Sequence, residues 1–68
     1  MTRLRINGEE AELAVATIAE LLVERGIDPT ARFLAVAVNG AVVRRAEWPE
    51  AALSPGDNVE IVRPLQGG

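Results

Sequence analysis

Apolar and polar residues alternate at the start of the chain, and this alternation predicts two paired strands. Residues 2–6 alternate, so every second side chain is expected to face a core. Asn7-Gly8 follows, a dipeptide favoured in two-residue hairpin turns because both residues tolerate a positive φ angle. Residues 10–13 alternate again and are expected to return as the second strand. The chain therefore opens with a predicted β-hairpin.

The pattern then changes to a helical period. Three apolar residues between positions 18 and 22 fall on one face of a helix. Thr17 followed by Glu20 is a capping-box pattern, which predicts where the helix begins. Gly26 is a residue type at which helices commonly end, because glycine adopts the left-handed conformation of the C-terminal cap without steric cost. One short amphipathic helix is therefore predicted between Thr17 and Gly26.

The second half of the chain returns to the strand pattern. Asn39-Gly40 is a second hairpin signal, and Pro55 occupies the turn position that proline prefers. Trp48 is expected to be a structural plug at the edge of the core, and Asp57 is expected to stabilise its turn. The predicted elements are a strand over 33–38, a returning strand over 41–44, a short irregular or 3₁₀ segment over 45–53, a turn over 54–57 and a last strand over 58–63.

This order of elements predicts an α+β domain of the β-grasp (ubiquitin-like) class. A single helix has to cover one face of the sheet, because no other element carries an apolar stripe. The last strand has to return beside the first for all the strands to join one sheet. We therefore expect a mixed sheet of about five strands curled around one helix, with residues 1–63 as the folded domain and residues 64–68 as a flexible C-terminal tail.

Composition and charge narrow the classes of function. The 68 residues carry a net charge of −3, and their arginines are scattered, so no nucleic-acid partner is expected. No apolar run approaches the length of a membrane span and no apolar signal segment is present, which predicts a cytoplasmic protein without a membrane partner. Cys, His and Lys are absent, which removes thiolate ligands, the commonest general base and Schiff-base chemistry. We therefore expect a protein that is not an enzyme and binds no metal or cofactor itself.

The last residues have a physical meaning of their own. Gly67 and Gly68 lack Cβ atoms, so they can enter a channel too narrow for other residues. The five residues from Pro64 onward reach at most ~17 Å when extended, far enough to carry a terminal carboxylate into the active site of another protein. The alternative is that a glycine-rich end is merely frayed. Taken alone, the tail favours this second interpretation.

Several stretches, taken in their order and spacing, resemble a known family. They are residues 17–22, residues 36–40 with Val42-Val43 and Arg45, Glu47-Trp48, residues 55–62 and the closing Gly67-Gly68. This pattern resembles ThiS, the sulfur-carrier family of thiamin thiazole synthesis, over essentially the whole chain. One departure is Leu65-Gln66, which stands where related carriers often have valine or another small residue.

The resemblance implies a chemistry for the terminus. An E1-like (ThiF-like) adenylyltransferase would use ATP and Mg²⁺ to convert the Gly68 carboxylate to an acyl-adenylate. A sulfur donor protein would then displace AMP and leave a thiocarboxylate, whose sulfur a thiazole synthase (ThiG-like) would accept. The tail residues Leu65, Gln66, Gly67 and Gly68 would enter the partner, and ATP and Mg²⁺ would be used by the partner and not held by this chain.

A docking surface beside the tail is also expected. Ala35, Ala37 and Val62 are predicted to share the sheet face away from the helix, where small side chains allow a partner to approach closely. The alternative is an ordinary β surface with scattered apolar atoms, which is common. Arg45 and Arg63 are expected to be solvated at the surface.

Three other functions stay open at this point. The small subunit of molybdopterin synthase is also a β-grasp sulfur carrier that ends in Gly-Gly, and serves the molybdenum cofactor. A ubiquitin-like protein modifier would share the activated terminus. A plain interaction domain would have an inert tail, so the loss of Gly67 and Gly68 would leave its activity intact.

Overall fold

The last strand in the sequence lies in the middle of the sheet. The computed structural model describes residues 1–63, and its elements are β1 (Thr2–Ile6), β2 (Glu9–Leu13), α1 (Ile18–Glu24), β3 (Ala35–Val38), β4 (Ala41–Val43), a 3₁₀ helix (Arg45–Glu47) and β5 (Asn58–Val62). The sheet order is β2-β1-β5-β3-β4, with β5 parallel to β1 and antiparallel to β3. The predicted mixed sheet, with the last strand returning beside the first, is confirmed.

A single aliphatic core joins the helix to the sheet. Ile18, Leu21 and Leu22, the predicted apolar face of α1, are all buried. They form one cluster with buried residues of the strands and connecting segments: Leu4, Ile6, Val15, Ile27, Leu34, Val36, Trp48, Leu53, Val59 and Ile61. Within residues 1–63 this core contains no polar or charged residue. Hydrophobic burial is therefore its main source of stability.

Side-chain and backbone caps fix both ends of α1. The Thr17 hydroxyl accepts a hydrogen bond from the Glu20 amide at 3.2 Å, and the Glu20 carboxylate accepts one from the amide of the residue before Thr17 at 2.8 Å. At the other end Gly26 has a φ angle of +74°, and the Ile27 amide donates back to the Leu22 carbonyl at 2.8 Å. The Gly26 amide also donates to the Val23 carbonyl at 3.0 Å, which completes a Schellman motif, so both predicted helix ends are confirmed.

Asn7 replaces a missing rung of the β1–β5 ladder. Its backbone amide donates to the Val59 carbonyl at 2.9 Å, and the backbone then turns away at a φ angle of +50°. The next residue of β5 that faces β1 is Ile61. The Asn7 side-chain oxygen accepts from the Ile61 amide at 2.8 Å, and its NH₂ group donates to the Ile61 carbonyl at 3.2 Å. One carboxamide therefore satisfies two backbone groups that β1 is too short to reach.

Asn39 holds the opposite end of β5. Its side-chain oxygen accepts from the Asn58 amide at 2.9 Å, and its NH₂ group donates to the Asp57 carboxylate at 3.0 Å. The other carboxylate oxygen of Asp57 accepts from the Ser54 amide at 2.8 Å, which confirms that Asp57 stabilises its turn. The two hairpin asparagines, which the sequence predicts only as turn residues, thus hold β5 at both ends.

Several strand ends differ from those predicted. β3 begins at Ala35 and not at position 33, because Phe33 has a φ angle of +62° and lies in a turn. β4 ends at Val43, because the Arg44 carbonyl accepts the first hydrogen bond of the 3₁₀ helix, from Glu47 at 2.8 Å. β5 ends one residue earlier than predicted, at Val62. β2 begins one residue earlier than predicted.

Trp48 closes the core beside the edge strand β4. Its side chain is only 2% exposed, and its Nε1–H donates to the Val43 carbonyl at 2.9 Å. The prediction of a structural plug is confirmed. The Arg45 guanidinium lies 4.9 Å from the centre of the Trp48 ring and donates to the carbonyls of Pro29 and Ala31. Arg45 is exposed, as predicted, but its side chain also joins two connecting segments, which the sequence did not predict.

We expect Asn7→Gly to lower the free energy of unfolding by about 1–3 kcal/mol, because glycine keeps the positive φ angle but leaves the Ile61 amide and carbonyl without partners. Urea unfolding followed by circular dichroism measures the change. Ser54→Gly is the control, because Ser54 enters its turn through its backbone amide, and glycine there should cost no more than about 1 kcal/mol. Equal losses in the two variants would contradict the role assigned to the Asn7 carboxamide.

We expect Trp48→Ala to lower the free energy of unfolding by about 3–5 kcal/mol, because it removes a fully buried ring. That loss is a large part of the ~3–10 kcal/mol that a domain of 68 residues has in total. Trp48→Phe keeps most of the packing and loses the bond to Val43, so it should cost about 1–2 kcal/mol. Thermal unfolding followed by circular dichroism separates the two. A similar cost for both would show that the hydrogen bond, and not the packing, is what matters.

Candidate functional site

The outer face of the sheet, away from the helix, is charged on its β1–β2 half. Arg3 lies opposite Glu12, with 3.9 Å between a guanidinium nitrogen and a carboxylate oxygen, and Arg5 lies opposite Glu10 at 3.5 Å. All four side chains are more than half exposed, so these ion pairs contribute little to stability. Glu10 is therefore part of an exposed, charged surface.

The other half of the outer face is mostly apolar, although Glu60 of β5 also lies on it. Ala35 lies directly opposite Val62, and Ala37 lies between Val42 on β4 and Glu60 on β5. Val42 is 75% exposed and Val62 is 61% exposed, while the alanines between them leave the surface low. The three predicted docking residues are therefore brought together on one face. We call Ala35, Ala37, Val42 and Val62 the apolar face.

Val42 was not among the predicted docking residues, although the sequence contained a signal for it. Side chains alternate between the two faces of a strand, so the neighbours of an inward residue point outward. Val43 packs against the core and pairs with the buried Val36. That pairing places Val42 beside Ala37 on the outer face.

Phe33 is a second residue that the prediction missed. Its side chain is 78% exposed, and its backbone occupies the left-handed region. Because Ala35 pairs with Val62 in antiparallel strands, the chain before Ala35 and the chain after Val62 lie at the same end of the sheet. Phe33 therefore lies at the end of the sheet where β5 ends. No short-range pattern predicts a positive φ angle at this position, because that conformation is strongly disfavoured for phenylalanine.

The segment before Phe33 is fixed by polar contacts. The Asp28 carboxylate accepts from the Thr30 amide at 2.9 Å and from the Thr30 hydroxyl at 2.7 Å. These two bonds, the backbone one first, lower the pKa of Asp28 below its ordinary value; slight desolvation opposes them and the charge of Arg45 assists them. Asp28 is therefore ionised at neutral pH, and its turn is held in one conformation.

The predicted working end of the chain follows directly from this part of the sheet. β5 ends at Val62, opposite Ala35, so the apolar face borders the point at which the chain leaves the sheet. The predicted tail residues Leu65, Gln66, Gly67 and Gly68 lie outside the described residues. The division into a domain of residues 1–63 and a tail of residues 64–68 stays a prediction.

The apolar face is suited to binding and not to bond chemistry. Its four side chains are hydrocarbon, so they offer no nucleophile and no group that transfers a proton. Within residues 1–63, no three metal-binding side chains come close enough together to hold an ion. None of the helices in this part of the chain is long and apolar enough to cross a membrane. The geometry provides a flat apolar surface next to the end of β5.

Two curated proteins are similar to this chain over nearly its whole length. A thiazole synthase from Paramagnetospirillum magneticum is 37% identical over 67 residues, which is 97% of this chain and 20% of that protein. The sulfur carrier protein ThiS of Thermus thermophilus is 36% identical over 63 residues, which is 93% of this chain and 95% of that protein. This chain therefore spans about one fifth of the first relative and almost all of the second.

Solved structures show the same fold. The crystal structure of the thiamine biosynthesis protein ThiS from Geobacter metallireducens matches with a TM-score of 0.78 and 27% identity, covering 98% of this chain and all of that one. The solution structure of a thiamine biosynthesis protein from the same organism gives the same TM-score and covers 88% of that chain. The β-grasp fold expected from the order of elements is confirmed.

A family model also matches nearly the whole chain. The ThiS family matches residues 4–68, which begin within β1 and take in all the later elements and the closing Gly67-Gly68. This is the family whose residue pattern the sequence resembles, and the small subunit of molybdopterin synthase was the alternative to it. On this match and on the Thermus relative, the chain belongs to the ThiS family.

Proposed function

We infer that this member of the ThiS family is a sulfur carrier of thiamin thiazole synthesis, and we propose that the carboxyl group of Gly68 holds the sulfur. The observation that carries the proposal is the family match, which extends through Gly68. The fold supports it, because the chain leaves a central strand beside an exposed apolar face. Under this proposal partner enzymes bind the folded domain and act on the carboxyl group of Gly68.

The chemistry at Gly68 proceeds in two steps. A carboxylate is a poor electrophile, so it first attacks the α-phosphorus of ATP; pyrophosphate leaves and an acyl-adenylate forms. Hydrosulfide supplied by a sulfur donor then attacks the acyl carbon, the bond to AMP breaks, and a thiocarboxylate with one oxygen replaced by sulfur is left. ATP and Mg²⁺ belong to the adenylating partner. The chain itself contributes the reacting carboxylate and acts as a carrier, not as a catalyst.

Two kinds of enzyme partner follow from this chemistry. An E1-like adenylyltransferase would activate the terminus, and a thiazole synthase would accept the sulfur. The second partnership is supported by the Paramagnetospirillum protein, because a protein named thiazole synthase contains a segment 37% identical to this chain. Under this proposal, a carrier domain fused to a thiazole synthase and a separate carrier protein would deliver sulfur to the same active site.

The apolar face is the proposed docking surface for the adenylyltransferase. Ala35 and Ala37 leave the backbone of β3 accessible to close approach, and Val42 and Val62 flank them with exposed hydrocarbon. Burying such a surface favours association in proportion to the apolar area that it removes from water. Because β5 ends at this face, docking there also fixes the starting point of residues 64–68.

The proposed carrier role is tested by intact mass spectrometry after incubation with an adenylyltransferase, ATP and sulfide. We expect a gain in mass equal to the replacement of one oxygen by one sulfur, located at Gly68. Gly68→Val should abolish the gain, because a branched side chain would not enter a channel that admits glycine. The unfolding curve of this variant should match that of the wild type. A normal mass gain in Gly68→Val would refute the assignment of the terminus.

The docking surface is tested by Ala37→Arg, which places a long charged side chain at the centre of the apolar face. Glu60 lies opposite Ala37 and can pair with the new charge, so the fold should be kept. We expect the affinity for the adenylyltransferase, measured by isothermal titration calorimetry, to fall at least about tenfold. Val23→Arg adds the same charge to an exposed valine of the helix and should leave the affinity unchanged. If both variants bind as tightly as the wild type, the apolar face is an ordinary β surface.

A further inference from the structure

Phe33 combines two properties that are each unfavourable in an isolated domain. Its side chain is 78% exposed, the largest exposed fraction among the big apolar residues of positions 2–63. Its φ angle of +62° lies in the left-handed region, which is costly for a bulky side chain. A residue with this backbone conformation is usually glycine or asparagine, as at the other turns of this domain. Neither packing nor turn geometry accounts for a phenylalanine here.

The surrounding structure imposes this conformation on Phe33. On one side, the Ala31 carbonyl accepts a hydrogen bond from Arg45 at 2.6 Å, and the Arg45 guanidinium lies over the ring of the buried Trp48. On the other side, Leu34 is buried in the core. Ala31 and Leu34 are therefore both held in place, and Arg32 and Phe33 have to span them, with the Phe33 side chain in water. Strain that persists because its surroundings impose it is typical of functional positions.

The position of Phe33 relates it to the proposed reaction. It lies at the end of the sheet where β5 ends, two residues before the Ala35–Val62 pair of the apolar face. The five residues from Pro64 onward span at most ~17 Å, so an enzyme that holds the Gly68 carboxyl group has its surface within that distance of this end. Phe33 is thus a large, exposed apolar side chain at the end of the sheet where such an enzyme must sit, close in the fold to Val62.

We propose that Phe33 is the anchor residue of this carrier, inserting its ring into an apolar pocket of the enzyme that activates the terminus. The proposal rests on the proposed function and extends it to a specific contact. Aromatic side chains are enriched in the buried centres of interfaces, because they bury much area with few rotatable bonds. The ring and the tail belong to one chain and would bind two sites of the same enzyme. Binding of one therefore raises the effective concentration of the other at its own site.

The test exploits the backbone strain. Phe33→Gly removes the ring and also relieves the positive φ angle, so a structural and a binding role predict opposite results. We expect the urea midpoint of Phe33→Gly to be equal to or above that of the wild type. In steady-state adenylation followed by pyrophosphate release, we expect its KM for the carrier to rise at least about tenfold with kcat unchanged, because docking is lost and the chemistry of Gly68 is not.

Two further variants sharpen the result. Phe33→Leu keeps an apolar anchor and should recover most of the KM. Val23→Ala removes part of another exposed apolar side chain, on the helix at 66% exposure, and should leave both KM and the urea midpoint unchanged. An increase in KM for Val23→Ala comparable with that of Phe33→Gly would mean that any exposed apolar residue has this effect, and would overturn the proposal.

The remaining outcomes separate this proposal from the proposed function. If the wild type is adenylated and Phe33→Gly has the same KM, the anchor is refuted and the carrier role stands. The same holds if Phe33→Gly weakens binding only to a thiazole synthase. If Phe33→Gly lowers the urea midpoint, the ring is structural and the anchor is again refuted. If an active adenylyltransferase does not adenylate the wild type at all, the proposed function fails and the anchor fails with it.

Discussion

The placement of β5 between β1 and β3 is the constraint on which the rest of this domain depends. β5 is the last strand within residues 1–63, yet it pairs with β1 at the start of the chain, where Arg5 lies opposite Asn58, so this pairing closes a loop of most of the sequence. Closing such a loop costs conformational entropy. The cost is offset by ladders on both sides, by burial of two β5 side chains, and by the carboxamides of Asn7 and Asn39 at its two ends. The strand that precedes residues 64–68 is therefore held on both sides and at both ends.

Strand alternation links this anchoring to binding. Val59 and Ile61 point into the core while Val62 points outward beside Ala35, so one short strand contributes both to the core and to the apolar face. A slip of one residue would move valine and isoleucine into water and glutamate into the core. The hydrogen bonds of Asn7 to Ile61 oppose such a slip next to the point where the chain leaves the sheet. The register of β5 therefore fixes both which of its side chains are buried and where the chain leaves the sheet.

Local patterns predicted the elements well and the tertiary contacts poorly. The caps of α1 and both Asn-Gly turns depend on neighbours a few residues away, and the sequence shows them directly. The bonds from Asn7 to Ile61 join residues 54 positions apart, and those from Arg45 to Ala31 join residues 14 apart, so no local pattern contains them. Phe33 was assigned to a strand for the same reason. Its aromatic side chain favours β structure, whereas its φ angle is imposed by the contacts of its neighbours.

The strain at Phe33 is informative because the domain has little stability to spare. A chain of 68 residues is stable by only ~3–10 kcal/mol, and a bulky residue in the left-handed region costs about 1–2 kcal/mol. A carrier has to leave one enzyme and bind the next, so its docking surface cannot be large and tight. Under the proposed docking, small side chains with a single exposed ring would provide a contact that is specific in position and modest in area, and the tail would add the remaining affinity once the ring is bound. A flat face of alanine and valine alone would bind weakly and in no fixed orientation. A fixed orientation is needed if a short tail is to reach the active-site channel of the partner enzyme.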